Sequence, residues 1–191
     1  MRLRHSFESA LKRRKDGAIV FRIWIGNLGK YNEGILEGEW VDLPCDDLYE
    51  TLGEVYKRIG INDEYEETFI ADYDNDYGYA VGEFDDLGFL NDIADELEAL
   101  PDYECDVWEA LHDGGYNHDE IMRIIRNGDY ITYGDCNDMG EVAMLAYEMS
   151  GKLAEIEKVL PSYYVDWDSI GRDMDIEGSF YPCGNGYVEV F

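Results

Sequence analysis

No lysine or arginine occurs between Arg58 and Arg123, and the 64 residues between them carry 21 carboxylates. A chain with such a run keeps a strongly negative surface when it folds, at some cost in self-repulsion. The run belongs to a wider asymmetry. Residues 1–30 hold eight basic residues against Glu8 and Asp16, a net of +6, whereas residues 31–191 hold seven basic and 42 acidic residues, a net of −35. The excess argues against binding DNA or RNA and against anionic membrane surfaces, both of which need clustered Lys and Arg. It does not indicate disorder. Apolar residues make up 46% and aromatic residues 14% of the 191-residue chain, and disordered acidic tails lack such aromatics.

Solubility accounts for a net charge of roughly 2–8 in a small domain, far less than the −29 found here. The other readings are adaptation to high salt, an acidic patch for a basic partner or cations, and carboxylates standing in for nucleic-acid phosphates. B-DNA carries one negative charge per ~1.7 Å of axis, so a net of −35 corresponds to about 60 Å of duplex. An elongated molecule, or a dimer of such molecules, presents a comparable linear charge density, and a compact sphere does not.

The periodicity divides the chain into modules. AIVFRIWI (18–25) and Trp40–Leu43 read as strands, and 27–34 as a loop or irregular edge. Leu48, Leu52, Val55 and Ile59 form one helical face after a cap at Asp46 or Asp47, with Gly60 closing the helix. Glu67–Ala71 reads as a third strand and DYDNDYGYAVGE as the loop after it. In the middle, Leu87, Leu90, Ile93, Ala94, Leu97 and Leu100 share a helical face. A short helix follows over Asp106–His112, and a third is capped by Asn117 and contains Ile121, Ile124 and Ile125. Further on, Asp129–Tyr133 reads as a strand and Asp138 caps another helix. Leu153, Ile156, Val159 and Leu160 form a further helical face stopped by Pro161. Gly184-Asn185-Gly186 is a hairpin turn, with Pro182 expected at a strand end. The expected fold class is α+β, an elongated chain of three small domains: 18–83 (α+β), 84–128 (helical) and 129–191 (α+β). Residues 1–17 form a basic tail, with Leu3, Phe7 and Leu11 also at helical spacing.

Familiar chemical motifs are weak. Asp72, Asp74, Asp76 and Glu83 match positions 1, 3, 5 and 12 of a calcium loop, but Tyr77 stands where the sharp turn needs Gly. His112 and His118 do not match a metal spacing and read as surface polar residues, and His5 lies in the basic tail. Cys45, Cys105, Cys136 and Cys183 lie far apart without a CxxC pair, which reads as ordinary thiols in a reducing cytoplasm. The start has no secretory apolar core, no apolar run is long enough to span a bilayer, and no nucleophile, phosphate-loop or dinucleotide motif is present. The expectation is a protein that is not an enzyme and has no cofactor or metal.

IWIGNLGKYNEGILEGEW (23–40), GINDEYEE (60–67), DCNDMGEVA (135–143) and SYYVDWDSIGRDMDIEGSF (162–180) resemble, in order, the ArdA antirestriction proteins. The resemblance spans about residues 20–191 and leaves the basic stretch 1–17 as an extra. It implies a DNA mimic, carried by mobile genetic elements, that occupies the DNA-binding groove of type I restriction-modification enzymes. It also implies an elongated homodimer joined through the C-terminal domains. The carboxylates expected to form the mimic surface are Asp63, Glu64, Glu66, Glu67, Asp72, Asp74, Asp76, Asp85, Asp86, Asp92, Asp95, Glu96 and Glu98, extended by Asp102, Glu104, Asp106 and Glu109. The alternatives are an acidic calcium-binding module over 72–83 and a mimic directed at other DNA-binding proteins.

Overall fold

The computed structural model describes residues 19–191. The expected basic tail over 1–17, with Leu3, Phe7, Leu11 and His5, lies outside them. The described residues form eight α-helices and two three-stranded antiparallel sheets, an α+β fold. Backbone packing divides the chain between Leu100 and Pro101 into two compact units.

In the first unit, β1 (Phe21–Asn27) lies between β2 (Gly38–Leu43) and β3 (Thr68–Asn75). Strand alternation sends Phe21, Ile23 and Ile25 into the core and leaves Arg22 exposed and Trp24 half-buried. The core is completed by α2 (Leu48–Ile59), whose Leu48, Leu52, Val55 and Ile59 are all buried. The expected Gly60 terminator has φ 79° and donates its N–H to the Tyr56 carbonyl. The next helix, α3 (Leu87–Ala99), buries Leu90, Ile93, Ala94 and Leu97. The buried Asn91 of α3 accepts the Cys45 N–H at 2.8 Å, tying the helix to the segment after β2.

Two expectations in this unit need correction. Residues 27–34 are not a plain loop, because α1 (Leu28–Asn32) forms there. Asn27 is fully buried. Its Oδ1 accepts the Lys30 N–H at 3.0 Å, and its Nδ2 donates to the carbonyls of Ile59 and Gly60 at 3.2 and 3.3 Å. A residue that reads as a loop former here caps one helix and satisfies the end of another. Strand β3 also runs past Ala71 to Asn75, through residues expected as loop. Asp72, Tyr73 and Asp74 pair with Trp24, Ile23 and Arg22 across a bulge between Trp24 and Ile25. Pairing with the central strand outweighs the low strand propensity of Asp.

In the second unit, α4 (Asp102–Asp113) starts directly after Pro101, a full turn earlier than expected. Acidic Asp102 and Glu104 occupy its first turn, where the helix dipole favours them. The capping box predicted only in part is complete at α5 (His118–Asn127). Asn117 Oδ1 accepts the Glu120 N–H and Glu120 Oε2 accepts the Asn117 N–H, both at 3.0 Å. The second sheet has the order β4 (Tyr130–Tyr133), β6 (Gly186–Val190), β5 (Ser179–Cys183). A two-residue turn joins β5 to β6, with Gly184 at φ 55° and Cys183 opposite Gly186. Pro182 lies on an edge strand, which spares the sheet a missing donor.

Asp138 caps α6 (Met139–Met149), accepting the Glu141 N–H at 3.0 Å. The following helix, α7 (Lys152–Glu157), is shorter than its apolar spacing predicts. Val159 is 89% exposed and does not continue a buried face. A further helix not among the expected elements, α8 (Trp167–Glu177), packs against α6. The core under the second sheet holds Tyr133, Cys136 and Val142, with Met139, Met174 and Phe180 packed around them.

The histidines depart from the expected surface placement. His118 is buried, and its Nδ1 accepts the Trp108 Nε1–H at 3.3 Å. His112 is half-buried and stacks on the same indole at 4.8 Å between ring centres and 10° between planes. Both are consumed by packing around a fully buried Trp108.

Candidate functional site: an acidic surface

Asp63, Glu64, Glu66 and Glu67 lie on the connection between α2 and β3, where Asn62 Oδ1 accepts the Glu64 and Tyr65 N–H groups and shapes the turn. Asp72 and Asp74 lie on β3 and Asp76 just beyond it. Asp85 and Asp86 precede α3. There, Asp85 Oδ2 accepts the Gly82 N–H at 2.7 Å and Asp86 Oδ1 caps the helix through the Phe89 N–H at 2.8 Å. Asp92, Asp95, Glu96 and Glu98 lie on α3, and Asp102, Glu104, Asp106 and Glu109 on α4. Fourteen of these seventeen side chains are exposed, and Glu96, Glu104 and Glu109 are half-buried. For the acids on α3 and α4, amphipathic spacing sets the degree of exposure, because the apolar stripes of these helices take the core and turn the acids outward.

The acids do not all do the same work. Asp85 and Asp86 already hold backbone N–H groups, and Tyr130 Oη donates to Glu104 at 3.5 Å. On α3, partial burial raises the Asp95 pKa above the ordinary Asp value, and the nearby charges of Asp46 and Asp92 add to the effect. Several cations of the described residues pair with other carboxylates. Arg58 makes a two-pronged contact with Glu39, Nε to Oε2 at 2.7 Å and Nη2 to Oε1 at 2.9 Å, and reaches Glu54 at 3.4 Å. Lys30 pairs with Glu37 and Lys158 with Glu155.

The calcium-loop pattern falls on a different backbone. Asp72 and Asp74 are strand residues, two apart on one face of the sheet, and Asn75 Oδ1 turns the chain by accepting the Tyr77 and Tyr79 N–H groups at 3.1 Å. Among the described residues, no group of three or more His, Cys, Asp or Glu is placed to hold a metal ion. The cysteines of the described residues are free thiols. Burial pushes the Cys183 thiol up to about 12, and Asp106 and Glu109 add to the effect. No helix of the described residues is long and apolar enough to cross a membrane.

The first sheet has an outer face where aromatic side chains not among the expected site residues join two of the acids. Its residues stand in cross-strand rows: Asp42, Arg22 and Asp74; then Trp40, Trp24 and Asp72. In the next row the Phe69 ring lies over Gly26, where a Cβ would meet it at 2.6 Å. The signal was present as Arg22 and Trp24 alternating with the buried Phe21, Ile23 and Ile25.

No curated protein matches the chain. A family model described as antirestriction protein (ArdA) matches residues 23–189, from within β1 to the penultimate residue of β6. Antirestriction function and interaction with restriction enzymes go with that family. With most of its length matched, the chain belongs to the ArdA family of antirestriction proteins.

Proposed function

We propose that this protein is a DNA mimic that inhibits type I restriction-modification enzymes by occupying their DNA-binding groove. The observation that carries the reading is the array of carboxylates, fourteen of seventeen exposed, on the run without Lys or Arg from Asp63 to Glu109. In this mechanism the Asp and Glu side chains take the places of phosphates on the basic groove, and DNA is excluded by competition without catalysis. Because such contacts release counterions, inhibition weakens steeply with salt. An exposed ion pair is worth about 0–1 kcal/mol, so a single neutralised acid changes affinity by at most about five-fold. Replacing Asp63, Glu64, Glu66 and Glu67 together by amides costs far more than any one of them.

The proposed site of action is the cytoplasm, with three modules per chain and a homodimer formed through the C-terminal module. Support for the dimer comes from apolar side chains on the second unit, where Val159, Tyr163 and Ile176 are 89%, 78% and 75% exposed. Large apolar side chains left in water favour association with a second copy that covers them. The deciding experiment titrates the purified protein into a type I restriction-modification enzyme bound to its cognate DNA at low salt. Stoichiometric displacement of the DNA is expected, and its absence overturns the reading.

A further inference from the structure

The outer face of the first sheet carries a groove of about 730 Å3, whose lining includes Trp24, Tyr31, Leu36, Trp40, Phe69 and Asp72. Tyr31 and Leu36 are exposed, and Trp24 and Trp40 are half-buried. Within the chain, one side of this face already holds a guanidinium. Arg22 lies over the Trp40 ring at 5.4 Å and pairs with Asp42 at 3.2 Å, so its charge meets an aromatic face and a carboxylate together. On the other side the same two partners recur, since Trp24 stands directly opposite Asp72 on β3. The chain brings no Lys or Arg to that side from β3 or the segment after it, because none occurs between Arg58 and Arg123.

We propose that this face docks an arginine-bearing segment of a partner protein, with a guanidinium seated on Trp24 and paired to Asp72. Charge complementarity selects a cationic segment, since Asp42 and Asp74 flank Arg22 and Asp72 stands in the next row, opposite Trp24. The aromatic floor selects arginine over lysine. Guanidinium is planar and weakly hydrated and stacks on indole, whereas ammonium holds its water. This goes beyond phosphate mimicry, in which the carboxylates alone make the contacts and no aromatic ring takes part.

The test titrates the full chain, at physiological salt, with oligo-arginine and oligo-lysine peptides of equal length, following the indole N–H signals by NMR. The arginine peptide is expected to bind about five-fold more tightly and to shift the Trp24 signal more than the Trp108 and Trp167 signals. The preference should vanish in Trp24→Leu and shrink in Asp72→Asn, a surface change that keeps the fold. Equal affinity for the two peptides overturns the proposal, as does a Trp24 signal that stays unmoved. A preference that emerges only when Arg2, Arg4, Arg13 and Arg14 are replaced by Ser assigns the face to the chain's own leader and also overturns it. Restriction enzyme is absent from the assay, so its outcome is independent of the inhibition experiment.

Discussion

The indole N–H of Trp108 donates to Nδ1 of His118 across 3.3 Å, joining α4 to α5 inside the second unit. Both side chains are buried, and His112 covers the indole from its own helix. His118→Ala removes this acceptor and opens a cavity beside Trp108, so a loss of about 2 kcal/mol is expected in urea unfolding. His112→Ala removes a half-buried stacking partner and should cost about 1 kcal/mol. Equal, negligible effects of both would mean that the two histidines are surface residues after all.

Gly171 sits where α8 crosses α6. A Cβ there would overlap the Met139 carbonyl, a backbone group that cannot rotate away. Gly171→Ala should therefore destabilise by about 2 kcal/mol or more, despite the better helix propensity of Ala. A thermal midpoint equal to wild type would show that the two helices separate without cost.

Glu39 and Arg58 join β2 to α2 at an exposed site, and the Arg58 hydrogen bond holds the Glu39 carboxyl below its ordinary range. A lowered folded-state pKa adds stability above the unfolded value, and that stability is lost as pH falls through the folded value. Glu39→Gln should be slightly less stable than wild type at neutral pH. The gap should close in acid, below about pH 4. Parallel thermal melts across pH check this.

Asp95 has the opposite sign. Burial first, then the charges of Asp46 and Asp92, raise its pKa, so its protonated form favours folding and ionisation opposes it. The stabilising contribution is present below the unfolded pKa and lost as pH rises through the folded one. Asp95→Asn should gain about 0.3 kcal/mol at neutral pH, in the range of like-charge neighbours on a helix and discounted for exposure. It keeps an acceptor for Asn91 Nδ2, which donates to Asp95 Oδ2 at 3.2 Å. The gain should disappear in acid.

Local rules made much of the molecule legible in the sequence. The faces of α2, α3 and α5, the caps at Asn117 and Asp138, and the β5–β6 turn depend on spacing within a dozen residues, so periodicity and cap chemistry suffice. The outward placement of Asp92, Asp95 and Glu98 follows from the same stripe of α3. What the sequence could not determine depends on contacts between distant segments. Asn27 became a cap because the end of α2 came within reach of its amide. Asp72 and Asp74 became strand residues because β1 offered them a pairing edge, and this set them beside Trp24 and Arg22. His118 went inside because Trp108 presented an N–H that an imidazole could accept. A carboxylate or an imidazole has no fixed place by propensity alone. The sequence by itself determined that the surface would be acidic, and only the tertiary structure decided which acids stand beside an aromatic floor, because hydrogen-bonding and charged groups take their positions from the partners that folding brings to them.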